Sequence, residues 1–294
     1  MRDFKDRVAV ITGAASGLGL AFAERFANAG MKLVLADIEE RRLDEAVASI
    51  KARGVLVDAL KLDVSDAVAV ERLAALAYDT FGAVHVLCNN AGVVPAGRFR
   101  PVWEYPLEDW KWAFGVNMMG VVHGLRSFIP RMLAGRQEGH VVNTASIAGL
   151  ISGAATPVYS AAKHAVVRIS EALYASLAEM KAPIGVTCLC PGIVQTRIYD
   201  SERNRPQDLV PASGIALEKK ELHEAIVKLR PGGLTAEGVA EMVHAAVTAN
   251  QLYLLTSDAF DEAVRDRSEC VLARRNPVFP DLLKLTQKES ATRT

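Results

Sequence analysis

Short apolar runs rich in β-branched residues recur along the chain, separated by stretches in which apolar positions follow a helical period. Continuous apolar runs are typical of strands that are buried on both faces of a parallel sheet. The pattern predicts strands at residues 7–12, 32–36, 55–62, 84–88, 140–144, 184–190 and 252–255. It predicts helices at 20–28, 39–53, 66–81, 110–134, 217–229, 235–250 and 258–275, and one that begins near 159. This alternation indicates one doubly wound α/β domain, whose mainly parallel seven-stranded sheet carries helices on both faces.

Composition narrows the class of protein. The 34 basic and 34 acidic residues balance, so the charge predicts neither nucleic acid nor an acidic membrane surface as a partner. The 4 cysteines lie mostly in apolar runs and are expected to be reduced core thiols, with no metal site. The polar start of the chain and the lack of a bilayer-length apolar run predict a soluble cytoplasmic protein.

A glycine-rich turn separates the first strand from the first helix. It reads Gly13-Ala14-Ala15-Ser16-Gly17-Leu18-Gly19. A helix N-terminus offers free N–H groups and the positive end of its dipole to a pyrophosphate, and glycine lets the backbone approach closely. A tight strand-to-helix connection is the alternative. The flanking strand and helix favour a dinucleotide site, with Gly13, Ser16, Gly17, Leu18 and Gly19 as its candidate residues.

Acidic residues end the second and third strands. Asp37 lies where a carboxylate would hold a ribose 2′-hydroxyl and repel a 2′-phosphate, which favours NAD over NADP. Asp37 capping the following helix is the alternative. Asp63, followed by Val64, lies where a carboxylate could meet the adenine amino group, and capping of the next helix is an equal rival.

Small and amide residues follow the fourth strand as Asn89-Asn90-Ala91-Gly92, which suits close approach to a cofactor or a simple turn. Asn117 lies inside an apolar helical pattern, where an amide is costly unless it is hydrogen-bonded. It is expected to bend the helix and hold a water, or to satisfy a neighbouring group. Ser146 lies at the carboxyl end of the fifth strand, the side on which open α/β sheets bind ligands.

Tyr159 and Lys163 share one face of a predicted helix, one turn apart. A free tyrosine titrates near pH ~10, too high for a base at neutral pH. A nearby ammonium favours the phenolate and lowers that pKa, so Tyr159 could exchange a proton with an alcohol or carbonyl oxygen. A surface lysine beside a half-buried tyrosine is the alternative, and the other motifs favour catalysis.

Together these motifs resemble the short-chain dehydrogenase/reductase family over about residues 5–197. Thr12-Gly13-x-x-x-Gly17-x-Gly19 and Asn89-Asn90-Ala91-Gly92 are similar to its cofactor motifs, and Pro191-Gly192 with Thr196 is similar to its nicotinamide-side motif. The matches to its catalytic tetrad are Asn117, Ser146, Tyr159 and Lys163. The resemblance implies a Rossmann-type fold and places Asp37, Asp63, Val64, Asn90, Ala91, Gly92, Pro191, Gly192, Val194 and Thr196 at the cofactor, together with Tyr159 and Lys163.

The resemblance also implies roles. Tyr159 would be the general acid/base, and Ser146 would hydrogen-bond the substrate oxygen. Lys163 would lower the pKa of Tyr159 and bind the nicotinamide ribose, and Asn117 would position a relay water. Ser16 and Asp37, where NADP users often carry a basic residue, favour NAD. The expected function is hydride transfer between NAD and a small secondary alcohol or ketone, by a homodimer or homotetramer.

The C-terminal third is less defined. The resemblance makes residues 197–230 a substrate lid and residues 258–294 an extension of the single domain over 1–294. Within the lid, Tyr199, Arg203 and Arg205 could meet an anionic substrate or form a solvated charge run. The rival functions are an NADPH-dependent ketone or ketoacyl reductase, an epimerase or dehydratase on the same Tyr–Lys pair, and a non-catalytic dinucleotide sensor or scaffold.

Overall fold

Seven parallel strands form one sheet in the computed structural model, which describes residues 1–95, 101–151, 157–212, 233–277 and 279. The strands are β1 (Val8–Thr12), β2 (Lys32–Asp37), β3 (Val57–Lys61), β4 (Val86–Asn89), β5 (Gly139–Thr144), β6 (Ile184–Cys190) and β7 (Tyr253–Leu255). Their order is β3-β2-β1-β4-β5-β6-β7, and each described pairing is parallel. The predicted doubly wound seven-stranded fold is confirmed.

Helices cover both faces of this sheet. They are α1 (Gly17–Asn28), α2 (Glu40–Lys51), α3 (Ala67–Phe81), α4 (Leu107–Phe114), α5 (Gly120–Gly135), α6 (Pro157–Glu179), α7 (Ala236–Ala249) and α8 (Asp261–Ala273). The residues of β1 are buried throughout, and successive side chains enter opposite cores. Ile11 packs in the core that α1 and α7 cover, whereas Val10 packs in the core that α3 and α5 cover.

The strand order positions the functional site. β2 and β3 lie on one side of β1, whereas β4, the next strand in the chain, lies on the other side of β1. In open α/β sheets, ligands bind beyond the carboxyl ends of the strands at such a reversal. The turns after β1, β2, β4, β5 and β6 all open at this edge, because parallel strands end on the same side.

Several boundaries differ from the sequence pattern. The predicted single helix over 110–134 is interrupted, because a π-helical turn, Gly115–Met119, joins α4 to α5. The predicted helix at 258–275 begins as a 3₁₀ turn, Asp258–Phe260, before α8. The predicted lid helix over 217–229 lies outside the described residues. Most of the 276–294 tail also lies outside them, so the single-domain prediction over 1–294 stays a prediction.

Two further observations concern the described part of the chain. None of its helices is long and apolar enough to cross a membrane. Its four cysteines are free and buried, and the Sγ atoms of Cys188 and Cys190 lie 3.8 Å apart on one face of β6. The placement of these thiols follows from the alternation of side chains along a strand.

Candidate active site

The glycine-rich turn forms the floor of the candidate site. Gly13 has φ +67°, and a Cβ on Gly19 would lie 2.0 Å from the carbonyl oxygen of Gly13, so the turn tolerates no side chain at Gly19. Ser16 precedes α1 in an extended conformation, and its side chain makes no capping hydrogen bond to any described residue. The first turn of α1 also lacks an acidic residue. The N–H groups of this helix end therefore suit an external anion, so the turn fits a pyrophosphate.

Asp37 joins the glycine-rich turn to the start of α2. Its Oδ2 accepts a hydrogen bond from the Ala15 N–H at 2.9 Å, and its Oδ1 accepts one from the Glu39 N–H at 3.0 Å. Burial raises the pKa of Asp37, against the opposing effect of these two N–H groups. The alternative that Asp37 only caps α2 therefore explains just one of its two contacts. One carboxylate oxygen binds the backbone just before α2, and the other binds the glycine-rich turn. Each oxygen keeps a lone pair for a further donor.

Asp63 and Val64 follow β3, at the far end of the same edge. The Ser65 N–H donates to Asp63 Oδ1 at 2.8 Å. Asp66, not Asp63, caps α3, because its side chain accepts the Val68 N–H. The capping rival for Asp63 is therefore wrong. Val64 is buried, and its carbonyl oxygen accepts a hydrogen bond from His123 Nδ1 at 2.9 Å.

The Asn90-Ala91-Gly92 turn is tied to the strands on either side of it. The N–H groups of Asn90 and Ala91 donate to Thr12 Oγ1 at 3.0 and 3.1 Å. The Asn90 amide donates to the Thr12 carbonyl oxygen at 3.1 Å and accepts a hydrogen bond from Thr144 Oγ1 at 3.2 Å. The turns after β1, β4 and β5 are thereby fixed to one another.

Asn117 is fully buried in the π-helical turn between α4 and α5. Its Oδ1 accepts the Val93 N–H at 2.8 Å, and its Nδ2 donates to the Val93 carbonyl oxygen at 2.9 Å. The amide thus satisfies a neighbouring backbone, which confirms that alternative for Asn117, and it lies where the helix departs from α geometry. Its role in holding a water stays a prediction. Single π turns are frequent at functional sites. The sequence gives no signal for Val93 as the partner.

Ser146 and Tyr159 meet beyond β5. Ser146 is buried, and its Oγ accepts the Ala148 N–H at 3.2 Å. Tyr159, at the start of α6, shares a hydrogen bond with the Ser146 side chain. Burial raises the pKa of Tyr159, the nearby Tyr199 raises it further, and the bond to Ser146 opposes both. A hydroxyl pair of this kind can bind one substrate oxygen and exchange a proton with it.

Lys163 lies deep beneath this pair, with 2% of its surface exposed. Its Nζ donates to the Thr144 carbonyl oxygen at 2.7 Å and lies 5.7 Å from the centroid of the Tyr159 ring. Burial lowers the pKa of Lys163 to about 8. The sequence predicts that Lys163 lowers the pKa of Tyr159. In the polypeptide alone the pKa of Tyr159 is nevertheless raised, because desolvation of the phenol dominates. The separate effect of Lys163 stays a prediction.

Gly92 marks where these polar groups converge. A Cβ on Gly92 would lie 3.2 Å from Asn117 Oδ1 and 3.4 Å from Lys163 Nζ. The amide oxygen and the ammonium therefore border one small space beside the cofactor-side turn. Thr144, whose carbonyl oxygen binds Lys163, was not a candidate residue, although its place at the end of β5 could have indicated it.

The segment after β6 closes the site. The Pro191 carbonyl oxygen accepts the Ile147 N–H at 3.0 Å, and the Gly192 N–H donates to Thr256 Oγ1 at 3.1 Å. Thr196 reaches the glycine-rich turn, since a Cβ on Gly17 would lie 3.2 Å from Thr196 Cβ. The remaining two cofactor candidates lie near these elements: Val194 forms a bridge with Leu234, and Leu18 packs against the core under α1.

The lid arginines are paired with acids. Arg203 binds Glu39, whereas Arg205 binds Asp109 and Glu202. The guanidinium of Arg205 also lies 4.3 Å from the centroid of the Trp112 ring. Arg205 is therefore not part of a solvated charge run, and its charge is already compensated.

The chain is similar to known dehydrogenases over most of its length. The family model for short chain dehydrogenases matches residues 7–207. A 1-deoxy-11-beta-hydroxypentalenate dehydrogenase from Streptomyces exfoliatus is 36% identical over 266 residues, which cover 90% of this chain and 88% of that protein. A C alpha-dehydrogenase from Sphingobium sp. (strain NBRC 103272 / SYK-6) is 32% identical over 282 residues, which cover 96% and 90%.

A solved structure extends this likeness to three dimensions. It is a short chain dehydrogenase/reductase from Burkholderia phymatum in complex with NAD, and it superposes with a TM-score of 0.90 at 43% sequence identity. The match covers 95% of this chain and 99% of that chain. The similarity therefore extends over the C-terminal third of the chain as well as over the part that contains the glycine-rich turn.

Proposed function

Because the chain belongs to the short-chain dehydrogenase/reductase family, we propose that it is an NAD-dependent dehydrogenase that interconverts a secondary alcohol and its ketone. The family makes it an oxidoreductase. The observation that supports the finer proposal is the meeting of Ser146, Tyr159 and the buried Lys163 beyond β5, beside a glycine-rich turn that fits a dinucleotide.

Three side chains have distinct roles at the substrate oxygen. Ser146 hydrogen-bonds that oxygen, and Tyr159 gives it a proton or takes one from it. The hydrogen bond between the two hydroxyls keeps them within reach of one common oxygen atom. Lys163 is the positive charge that favours the phenolate when the alcohol must lose its proton. NAD, when bound, supplies the hydride acceptor, which no protein side chain can provide.

Asn117 acts through Lys163, which it faces across the space next to Gly92. Its oxygen and Lys163 Nζ border the space next to Gly92, where a water would join both. Its two bonds to Val93 fix the amide in place, which a relay requires. Asn117 therefore positions the relay water without touching the substrate.

The choice of NAD over NADP rests on charge at the end of β2. Asp37 lies against the glycine-rich turn through Ala15, and its carboxylate would repel a 2′-phosphate while accepting a ribose hydroxyl. The Burkholderia phymatum structure is described as a complex with NAD, which supports the same choice. In an NADPH-dependent reductase, by contrast, removing this carboxylate would leave NADPH use unchanged.

The substrate proposed is a small-molecule secondary alcohol or ketone. The two relatives named above are dehydrogenases, and one carries a hydroxylated compound in its name. The paired arginines after β6 do not favour an anionic group at Arg203 or Arg205. A homodimer or homotetramer in the cytoplasm is part of the proposal, and light scattering after size exclusion tests the assembly.

Tyr159→Phe is the decisive variant. We expect the purified protein to form NADH from NAD with at least one of a panel of aliphatic, aryl, steroid and hydroxyacyl secondary alcohols. Tyr159→Phe should lose about 10²-fold or more of that turnover, because general acid–base catalysis contributes about this much. It should keep its affinity for NADH.

The matched control is Tyr174→Phe, which changes an exposed tyrosine of the same helix, α6. Turnover that survives Tyr159→Phe would refute the catalytic role. Tight NADH binding with no turnover of any panel member would instead favour a sensor or scaffold.

A further inference from the structure

A segment after β6 crosses the edge of the sheet where the dinucleotide would lie. This crossing segment, residues 198–209, contains the 3₁₀ helices Ile198–Asn204 and Gln207–Leu209. In the sheet, β6 is separated from β2 by β5, β4 and β1. Four strand spacings of about 4.8 Å make a distance of roughly 19 Å. Arg203 nevertheless contacts Glu39, directly after β2, so the chain from the end of β6 to Arg203 spans the mouth of the glycine-rich turn.

Arg203 belongs to a cluster of charged and polar side chains around Glu39. Arg203 Nε and Nη2 donate to Glu39 Oε1 at 2.9 and 2.6 Å, and the Asn204 amide donates to the same atom at 3.2 Å. Arg42 of α2 lies 3.2 Å from the other carboxylate oxygen. Burial alone would raise the pKa of Glu39, but the bonds from Arg203 and Asn204 outweigh it and lower that pKa. The cluster therefore stabilises an ionised Glu39.

Arg205, two residues further along the segment, is anchored more deeply than Arg203. The Arg205 side chain is 2% exposed and donates to Asp109 at 2.7 Å and to Glu202 at 2.6 Å. The Val94 N–H donates to Ser201 Oγ at 3.1 Å, next to the Val93 backbone that Asn117 holds. By contrast, the side chains of Arg203 and Glu39 are 26% and 18% exposed. Water reaches the Arg203–Glu39 contact more readily, so this contact opens more easily than that of Arg205.

We propose that Arg203 and Glu39 are positioning residues whose ion pair holds the crossing segment over the bound dinucleotide. The inference rests on the proposed function, because it needs a dinucleotide beneath the segment. Glu39 follows Asp37 closely in sequence, and its N–H binds the Asp37 carboxylate, so the pair lies at the end proposed for the adenosine ribose. Breaking the pair releases Arg203 from the start of α2, while Arg205 stays bound to Asp109. The pair therefore governs how fast the dinucleotide leaves, and it does not touch the reacting atoms.

The dissociation rate of NADH tests this role. The purified protein is loaded with NADH, the cofactor is displaced by excess NAD in a stopped-flow instrument, and the loss of nucleotide fluorescence is followed. We expect Glu39→Gln and Arg203→Gln each to raise the dissociation rate constant about threefold to fivefold, which is the upper part of the range for an ion pair that water reaches. The dissociation rate constant of the double variant should exceed that of neither single variant by more than about twofold, since each single variant already removes the Arg203–Glu39 ion pair. Arg203→Lys keeps a cation and should restore most of the slow release.

The matched control is Arg41→Gln, which breaks the exposed Arg41–Glu45 pair on the same helix, α2. It should release NADH at the wild-type rate. Rates within about twofold of wild type for both single variants, or effects that add in the double variant, would overturn the positioning role. A wild-type protein that binds no NADH would refute the proposed function itself, so the two failures are distinguishable. Unfolding of each variant in urea identifies any that is simply misfolded, and Glu39→Gln then carries the test.

Discussion

Replacing Lys163 with methionine is expected to change how the stability of the protein depends on pH. Burial lowers the pKa of Lys163 from its ordinary value of 10.5 to about 8. In the unfolded chain the lysine therefore keeps its proton up to a higher pH than in the folded protein. Between about 8 and 10.5 the unfolded state binds more protons, so the free energy of unfolding rises with pH in this window.

The size of the effect follows from the two pKa values. Below pH 8 both states carry the proton, and holding the buried ammonium costs on the order of 3 kcal/mol at about 1.4 kcal/mol for each factor of ten. By about pH 10 most of that cost has disappeared from the folded protein. Wild type should therefore gain about 2–3 kcal/mol over Lys163→Met between about pH 7 and pH 10. The lost bond to the Thr144 carbonyl oxygen lowers the stability of the variant equally at every pH.

Urea unfolding of the protein without cofactor, followed by circular dichroism at several pH values, measures this difference. Groups that do not interact with Lys163 titrate in both proteins and cancel when the two free energies are subtracted. Cys188 and Cys190 do not cancel, because the Lys163 charge lowers the pKa of both thiols in the wild type alone. Lys51→Met, at an exposed position of α2, is the matched control and should show a constant difference from wild type. A constant difference for Lys163→Met as well would refute the claim that burial penalises this ammonium.

Two further predictions concern the packing around the site. Asp109→Asn should lower the free energy of unfolding by about 1–3 kcal/mol in a urea titration, because it removes one of the two carboxylates that bind the buried Arg205 guanidinium, while Glu202 keeps the charge paired; a loss below about 0.5 kcal/mol would show that the pair is effectively solvated. Gly19→Ala should weaken NADH binding at least about tenfold in a fluorescence titration, because its Cβ would lie 2.0 Å from the Gly13 carbonyl oxygen. Gly135→Ala, whose Cβ meets no described atom within 4 Å, should bind normally, and equal affinities would contradict the steric argument.

The fold was predictable because its strands carry a local signal. A central strand such as β1 is buried on both faces, so its sequence is almost continuously apolar and does not alternate between apolar and polar residues. The glycine-rich turn was predictable for a similar reason, since the positive φ of Gly13 and the 2.0 Å approach of a Gly19 Cβ to the Gly13 carbonyl oxygen are both set within the turn itself. In both cases the residues that determine the structure are close together in the sequence.

The interruption of the helix at Asn117 was harder to predict, because its cause lies elsewhere in the chain. The Asn117 amide binds both backbone groups of Val93, and no local pattern shows this pairing. Arg205 is a similar case. Its sequence neighbours indicate a polar loop, but Asp109 and Trp112 of α4 bury it. Such contacts bring together residues that are distant in sequence, and they override local propensity.

The sequence alone does not predict the raised pKa of Tyr159, for an electrostatic reason. The spacing of Tyr159 and Lys163 places a cation near a phenol, which by itself lowers the pKa of the phenol. The sequence does not show how far both groups are removed from water. In the structure burial raises the pKa of Tyr159 and lowers that of Lys163, so desolvation disfavours both charged forms.

These two shifts bear on the direction of the proposed reaction. Reduction of a ketone needs Tyr159 as a neutral acid, and the polypeptide alone favours that form. Oxidation of an alcohol needs the phenolate, which requires positive charge nearby. Among the described residues, Lys163 lies 5.7 Å from the ring and can supply that charge while it is protonated. Because the pKa of Lys163 is about 8, Lys163 loses its positive charge above that pH and no longer stabilises the phenolate. The Tyr159 phenolate still needs a nearby cation at that pH. The pH range in which Lys163 keeps its proton therefore limits the range in which this chain can assist alcohol oxidation.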